Sequence, residues 1–140
     1  MAIGIYPSLF FTVALLVTTA YFLMGGLPLL ILQHDTALDA RFVRRFFAVY
    51  YQAATVAAVG ACLGYALWGR FGFALGAALL VGVVRALRRA LIPAMQQLGE
   101  RIEAADVQAI ARFKRVHAAA LGVNLAQLMV LVWGTLQLQL

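Results

Sequence analysis

The stretch RFKRVHAAALGVNLAQL (112–128) opens on Arg112, Lys114 and Arg115 and then runs without charge into apolar residues. A basic cluster that gives way to an uncharged run marks a helix entering lipid from its polar edge. Inside that run stand His117, Asn124 and Gln127. At about 100° per residue the three fall along one stripe of a helix. Asn124 lies about 10 Å and Gln127 about 15 Å beyond His117 along the axis. Side chains of this kind need partners in hydrocarbon, so the stripe should face other helices. The stretch thus predicts a bundle of membrane helices. It leaves open whether the stripe is a ligand site or hydrogen-bonded glue between helices.

The totals agree with a lipid-embedded chain. Of 140 residues, 65% are hydrophobic and only 11% are charged. That balance lies far outside a soluble globular domain. The length fits one domain, residues 1–140, of four spans. The start, MAIGIYPSLF, has no basic n-region, and the apolar run behind it is too long for a cleavable leader, so the first helix is expected to be retained. Cys62 is the only cysteine and can form no internal disulfide. The net charge of +6 would suit a nucleic-acid partner, but the charges cluster between spans, which favours contact with anionic lipid and argues against nucleic acid.

Working outward from the quoted helix, the spans fall at about 8–33, 46–68, 71–92 and 116–138. The first is uncharged and is interrupted by MGGLPLL, where Gly25, Gly26 and Pro28 should kink or unwind it. Thr36 followed by Asp39 fits a capping box, so a new helix should begin there. Its first turns set Arg41, Arg44 and Arg45 on one face and Phe42, Phe46 and Val49 on another, as in a helix lying at the interface. WGRFG is a tight turn between spans two and three. Beyond span three, Ile102, Val107, Ile110 and Phe113 recur at helical spacing, which predicts an extramembrane helical hairpin packed back on the bundle. The expected fold is an all-α, up-down four-helix membrane bundle with a cytoplasmic helical extension between spans three and four. Gly60-x-x-x-Gly64 and Gly72-x-x-x-Gly76 offer close packing, within the chain or in a homodimer.

Of the eleven basic residues, Arg41, Arg44, Arg45, Arg85, Arg88, Arg89, Arg101, Arg112, Lys114 and Arg115 belong to the first and third inter-span segments. Arg70 alone belongs to the second. The positive-inside rule then places those two segments in the cytoplasm of a bacterial-type inner membrane, with both termini outside.

Several residues are candidates for chemistry. His34 ends span one and His117 begins span four, which neighbour each other in an up-down bundle. Two imidazoles can hydrogen-bond, exchange a proton or ligate haem iron or another metal. No H-x-x-x-H or E-x-x-H accompanies them. Arg85 is the deepest charge, about 21 Å into span three. It would neutralise an anion or snorkel to the interface. Gln33, Gln52, Asn124 and Gln127 complete a set of polar groups in one half of the bundle, beside the Gly25-Gly26-Pro28 break. Recognisable nucleophile elbows, phosphate-cradling glycine loops and paired carboxylates are absent from the sequence. Span one has no Glu of the kind that proton-coupled multidrug exporters carry.

FKRVHAAALGVNLAQL resembles the last helix of small four-helix membrane proteins of the transmembrane protein 205 type, with Phe113, His117 and, seven residues on, Asn124. FAVYYQAAT, with Tyr50 and Tyr51, is similar to that family's aromatic segment. The family's Gly and Ser after the His are replaced by Ala118, Ala119 and Ala120. A weaker resemblance is to anthrone-oxygenase-like membrane proteins, which share the four-span layout. The resemblance implies the fold and leaves activity open. Three functions are therefore carried forward. The first is binding of an anionic or amphiphilic ligand by Arg85, His34, His117, Gln52, Asn124 and Gln127 at the cytoplasmic end. The second is an accessory subunit of a larger membrane complex. The third is a haem or metal oxidoreductase or oxygenase ligated by His34 and His117.

Overall fold

The helices lie as the hydropathy dictates. A computed structural model describes residues 3–138. It holds α1 (Ile5–Leu29), α2 (Ala37–Trp68), α3 (Phe71–Glu103) and α4 (Val107–Leu136). No strand occurs among the described residues. All four helices are long and apolar enough to cross a bilayer, which makes the chain a multi-pass membrane protein. α1 packs on α2, α2 on α3, α3 on α4 and α4 back on α1, the closed ring of an up-down bundle. The lipid-facing surface is apolar: Phe10, Val17, Leu63, Leu79 and Met129 are all exposed.

Local signals explain each boundary. α1 runs unbroken through Gly25, Gly26 and Pro28 and ends at Leu29, earlier than residue 33. Its final turn tightens into three i→i+3 bonds, Leu30 to Leu27, Ile31 to Pro28 and Leu32 to Leu29. α2 begins where the capping box placed it: the Thr36 hydroxyl accepts the Asp39 N–H at 3.2 Å. It then runs unbroken from its amphipathic start to Trp68. Gly69, at φ +80°, closes α2 in the left-handed region, with its N–H on Ala66 and that of Arg70 on Tyr65. The predicted hairpin is the far ends of α3 and α4 themselves. Asp106 caps α4 through the Gln108 N–H at 3.0 Å and pairs with Arg101. The Arg101 hydrogen bonds hold the Asp106 carboxyl below the usual carboxylate range. Of the four apolar residues expected to pack there, Ile102 and Phe113 are buried and Ile110 is half-buried against the core. Val107 is 76% exposed, because it sits at the first turn of α4.

Glycine allows α1 and α2 to touch. A Cβ on Gly64 would meet the Ser8 backbone, and one on Gly60 would enter the Phe11 ring. The first Gly-x-x-x-Gly pair therefore serves packing within the chain. The second does not: Gly72 and Gly76 face open space. The core is continuous from Ile102 and Phe113 at the basic end through Phe47, Tyr50, Tyr51 and Ala54. α4 lies looser against its neighbours than α2 does.

Candidate functional site

The buried polar residues form a column down the middle of the bundle. At the basic end stand His34 and His117, each fully buried. The tightened end of α1 delivers His34 at φ +56°, a left-handed conformation that a side-chain-bearing residue adopts at a cost. Its Nε2 lies 3.1 Å from Nδ1 of His117. Phe113 and Phe47 wall the pair at ring distances of 5.5 and 5.3 Å. Close approach of α1 to α4 makes this possible, because a Cβ on Gly26 would collide with Leu121. The outer nitrogens, Nδ1 of His34 and Nε2 of His117, form no hydrogen bond of standard geometry, although the Leu32 carbonyl faces His34 and the Gly26 carbonyl faces His117. Burial lowers the affinity of His34 for a proton. Lys114 lowers it further, while the Leu32 carbonyl and Asp39 oppose the effect.

Two turns along α4, Asn124 is buried with both amide atoms unpartnered. One turn further, Gln127 accepts the Tyr50 hydroxyl through Oε1 at 3.0 Å, while its Nε2 has no partner. The phenol of Tyr50 also faces the Thr19 side chain, whose hydroxyl forms no hydrogen bond of standard geometry. At the terminal end the Thr12 and Tyr65 hydroxyls lie 2.8 Å apart, and Thr12 donates to the Ser8 carbonyl at 2.7 Å.

A cleft reaches this column from the side. It measures about 670 Å³ and separates α3 from α4 in the terminal half of the bundle. Gly72, Gly76 and Leu80 line one wall and Val123, Val130 and Trp133 the other. Its floor carries Gln127, Thr12 and Tyr65 and no charged group. Few native proteins leave a cluster of buried amides and hydroxyls unpaired, since each orphan costs about 1–3 kcal/mol.

The structure gathers some of the expected residues and disperses others. His34, His117, Asn124 and Gln127 are buried in one column. Arg85 is exposed on the outer face of α3, next to the buried Val84. Gln52 is exposed and lines a shallow surface groove with Phe11, Thr18 and Val49. Gln33 is exposed in the α1–α2 connection. Neither Arg85 nor Gln52 lines the cleft, and the cleft opens at the opposite end of the bundle from the histidines. Thr19, Thr12 and Tyr65 belong to the column and carried no signal from charge. The 4- and 11-residue spacings of Ser8, Thr12 and Thr19 would have shown the stripe.

As a metal centre the histidine pair is incomplete. Among the described residues no third His, Cys, Asp or Glu joins it. Two nitrogens alone leave a tetrahedral ion short of the three or four protein ligands it takes. The 3.1 Å separation fits a direct hydrogen bond between the two rings.

These features define a class: an all-α, four-span membrane protein with a buried polar column and a lateral apolar cleft. No family model, curated protein or solved structure matches the chain.

Proposed function

We propose that the protein binds a small, neutral amphiphile drawn from the bilayer. The apolar tail lies between α3 and α4, and the polar head reaches Gln127. The observation that carries this reading is an uncharged cleft of about 670 Å³ lined by Gln127, whose Nε2 is buried without a partner. A pocket of this size, apolar but ending on a few fixed polar groups, is the usual form of a small-molecule site. Gln127 Nε2 donates to the head, and Tyr50 holds the Gln127 amide in register. The cleft lacks a cation to neutralise an anionic head, so the ligand is uncharged. His34 and His117 close the basic end of the column and join α1 to α4.

The protein sits in a bacterial-type inner membrane with the basic end in the cytoplasm and both termini outside. The cleft then opens toward the outer leaflet. Glycosylatable tags or thiol labels placed in the 69–70 turn and the 104–106 turn test this: the first should react from outside and the second from the cytoplasm.

Native mass spectrometry of gently extracted protein tests the ligand. The expected result is a retained small molecule near one per chain, lost about tenfold in Gln127→Leu, as for one hydrogen bond in a desolvated site. Gly72 and Gly76, open to the cleft, favour a second reading, in which a partner subunit's helix occupies it. That reading predicts a retained protein mass. Bare protein in wild type and variant alike overturns both readings.

A further inference from the structure

A second cavity lies outside the polar column, at the basic end between the start of α2 and the end of α3. It measures about 420 Å³. Arg41, Arg44 and Arg45 form one wall, and Gln96, Glu100 and Glu103 form the other. Its floor is tight: Met95 and Ala40 are buried, and a Cβ on Gly99 would sit 3.5 Å from that of Ala40. The two walls carry opposite charge but do not close on each other. Among the described residues the one ion pair is Arg101 with Asp106, elsewhere in the hairpin. Gln96 Nε2 donates to Glu100 Oε1 at 3.3 Å, which turns the carboxylate wall toward a fixed direction. The positive end of the α2 dipole lies beside Ala37 on the arginine side.

We infer that this cavity binds the phosphoethanolamine headgroup of a bilayer lipid. The phosphate lies against Arg41, Arg44 and Arg45, and the primary ammonium lies against Glu100 and Glu103. Arginine favours phosphate because its planar fork can give two parallel N–H bonds. The opposing carboxylates repel a purely anionic head and reward an ammonium that donates hydrogen bonds. A quaternary ammonium has no N–H to give them. The exposed apolar neighbours of the cavity point to lipid as the source. On the same first turns of α2, Leu38 is 72% exposed and Phe42 56% exposed. Apolar side chains beside an arginine row mark a helix lying in the headgroup layer. The inference does not depend on the α3–α4 cleft, which lies at the other end of the bundle.

The test is lipid retention by the full chain in native mass spectrometry. The protein is offered equal amounts of phosphatidylethanolamine, phosphatidylglycerol and phosphatidylcholine with matched acyl chains. Wild type should retain phosphatidylethanolamine several-fold over the other two. The double variant Glu100→Gln/Glu103→Gln, which alters exposed positions only, should lose that preference and gain phosphatidylglycerol several-fold. The triple variant Arg41→Gln/Arg44→Gln/Arg45→Gln should lose both phospholipids, and Gln52→Leu, which lines neither the cavity nor the cleft, should change neither. Unaltered phosphatidylethanolamine retention in the Glu double variant overturns the inference, since the cavity then reads phosphate alone. So does displacement of the lipid by inorganic phosphate as readily as by glycerophosphoethanolamine. Equal retention of all three lipids by wild type also overturns it.

Discussion

His34 concentrates the physics of the site in one residue. Its backbone sits at φ +56°, and its ring is fully buried against His117. Replacing it with Ala removes a buried hydrogen bond and orphans the partner, at a cost of about 1–3 kcal/mol. His34→Gly should lose the same bond but recover roughly 1 kcal/mol of backbone strain, so it should melt above His34→Ala. Thermal unfolding in detergent checks the order. The pH dependence has a definite sign. Burial depresses the folded-state affinity of His34 for a proton, so below the ordinary imidazole value of about 6.5 the unfolded chain binds more protons. The stabilising contribution is therefore complete above that value and declines as pH falls through and below it. The decline should be shallower in His34→Gly than in wild type. At this scale the sequence spoke through helical phase. His117, Asn124 and Gln127 are legible as one stripe, and the meeting of His34 with His117 follows from neighbouring spans. Gln52 and Arg85 were placed by depth alone. On α2 the buried series Phe47, Tyr50, Tyr51, Ala54, Ala58 leaves Gln52 on the opposite side. Arg85 follows the one buried residue of its turn, Val84, by 100° and so points outward.

Elements differ in how firmly they are held. α2 is the spine: its buried face is rich in alanine, which lets α1 and α3 approach on both sides. The two Gly-x-x-x-Gly pairs are identical as patterns and opposite in setting, a distinction that spacing cannot carry. Gly64→Val should destabilise the bundle by about 1–3 kcal/mol, because the added atoms meet the Ser8 backbone. Gly72→Val should leave stability within about 0.5 kcal/mol, because nothing stands near it. A parallel melt of the two variants separates them. If Gly72→Val displaces the amphiphile while the melt stays unchanged, the cleft is used as a site and not as packing surface. Boundaries were legible where capping chemistry is explicit, at Thr36 and Gly69. The end of α1 was less so, since the helix runs through Pro28 and gives way to i→i+3 bonds only after Leu29.

The whole molecule has two polar centres at opposite ends, joined by a column of hydroxyls and amides. The all-α bundle could be read from hydropathy alone, because lipid permits few other ways to satisfy a backbone. The cleft could not, because it arises from the looser seating of α4, which depends on side-chain volumes on four helices at once. The contact between His34 and His117 spans 83 residues of sequence. On a ribosome adding about 5–20 residues per second, His34 waits roughly 4–17 s before α4 supplies the second ring. During that interval the α1–α2 connection has no partner for its imidazole. A chain ending before Val107 should leave His34 open to an imidazole-directed acylating reagent that the full chain excludes. Equal protection of both chains would mean that the connection closes without α4. The histidine pair thus closes only once α4 has joined α1, and its closure reports that these two helices have met.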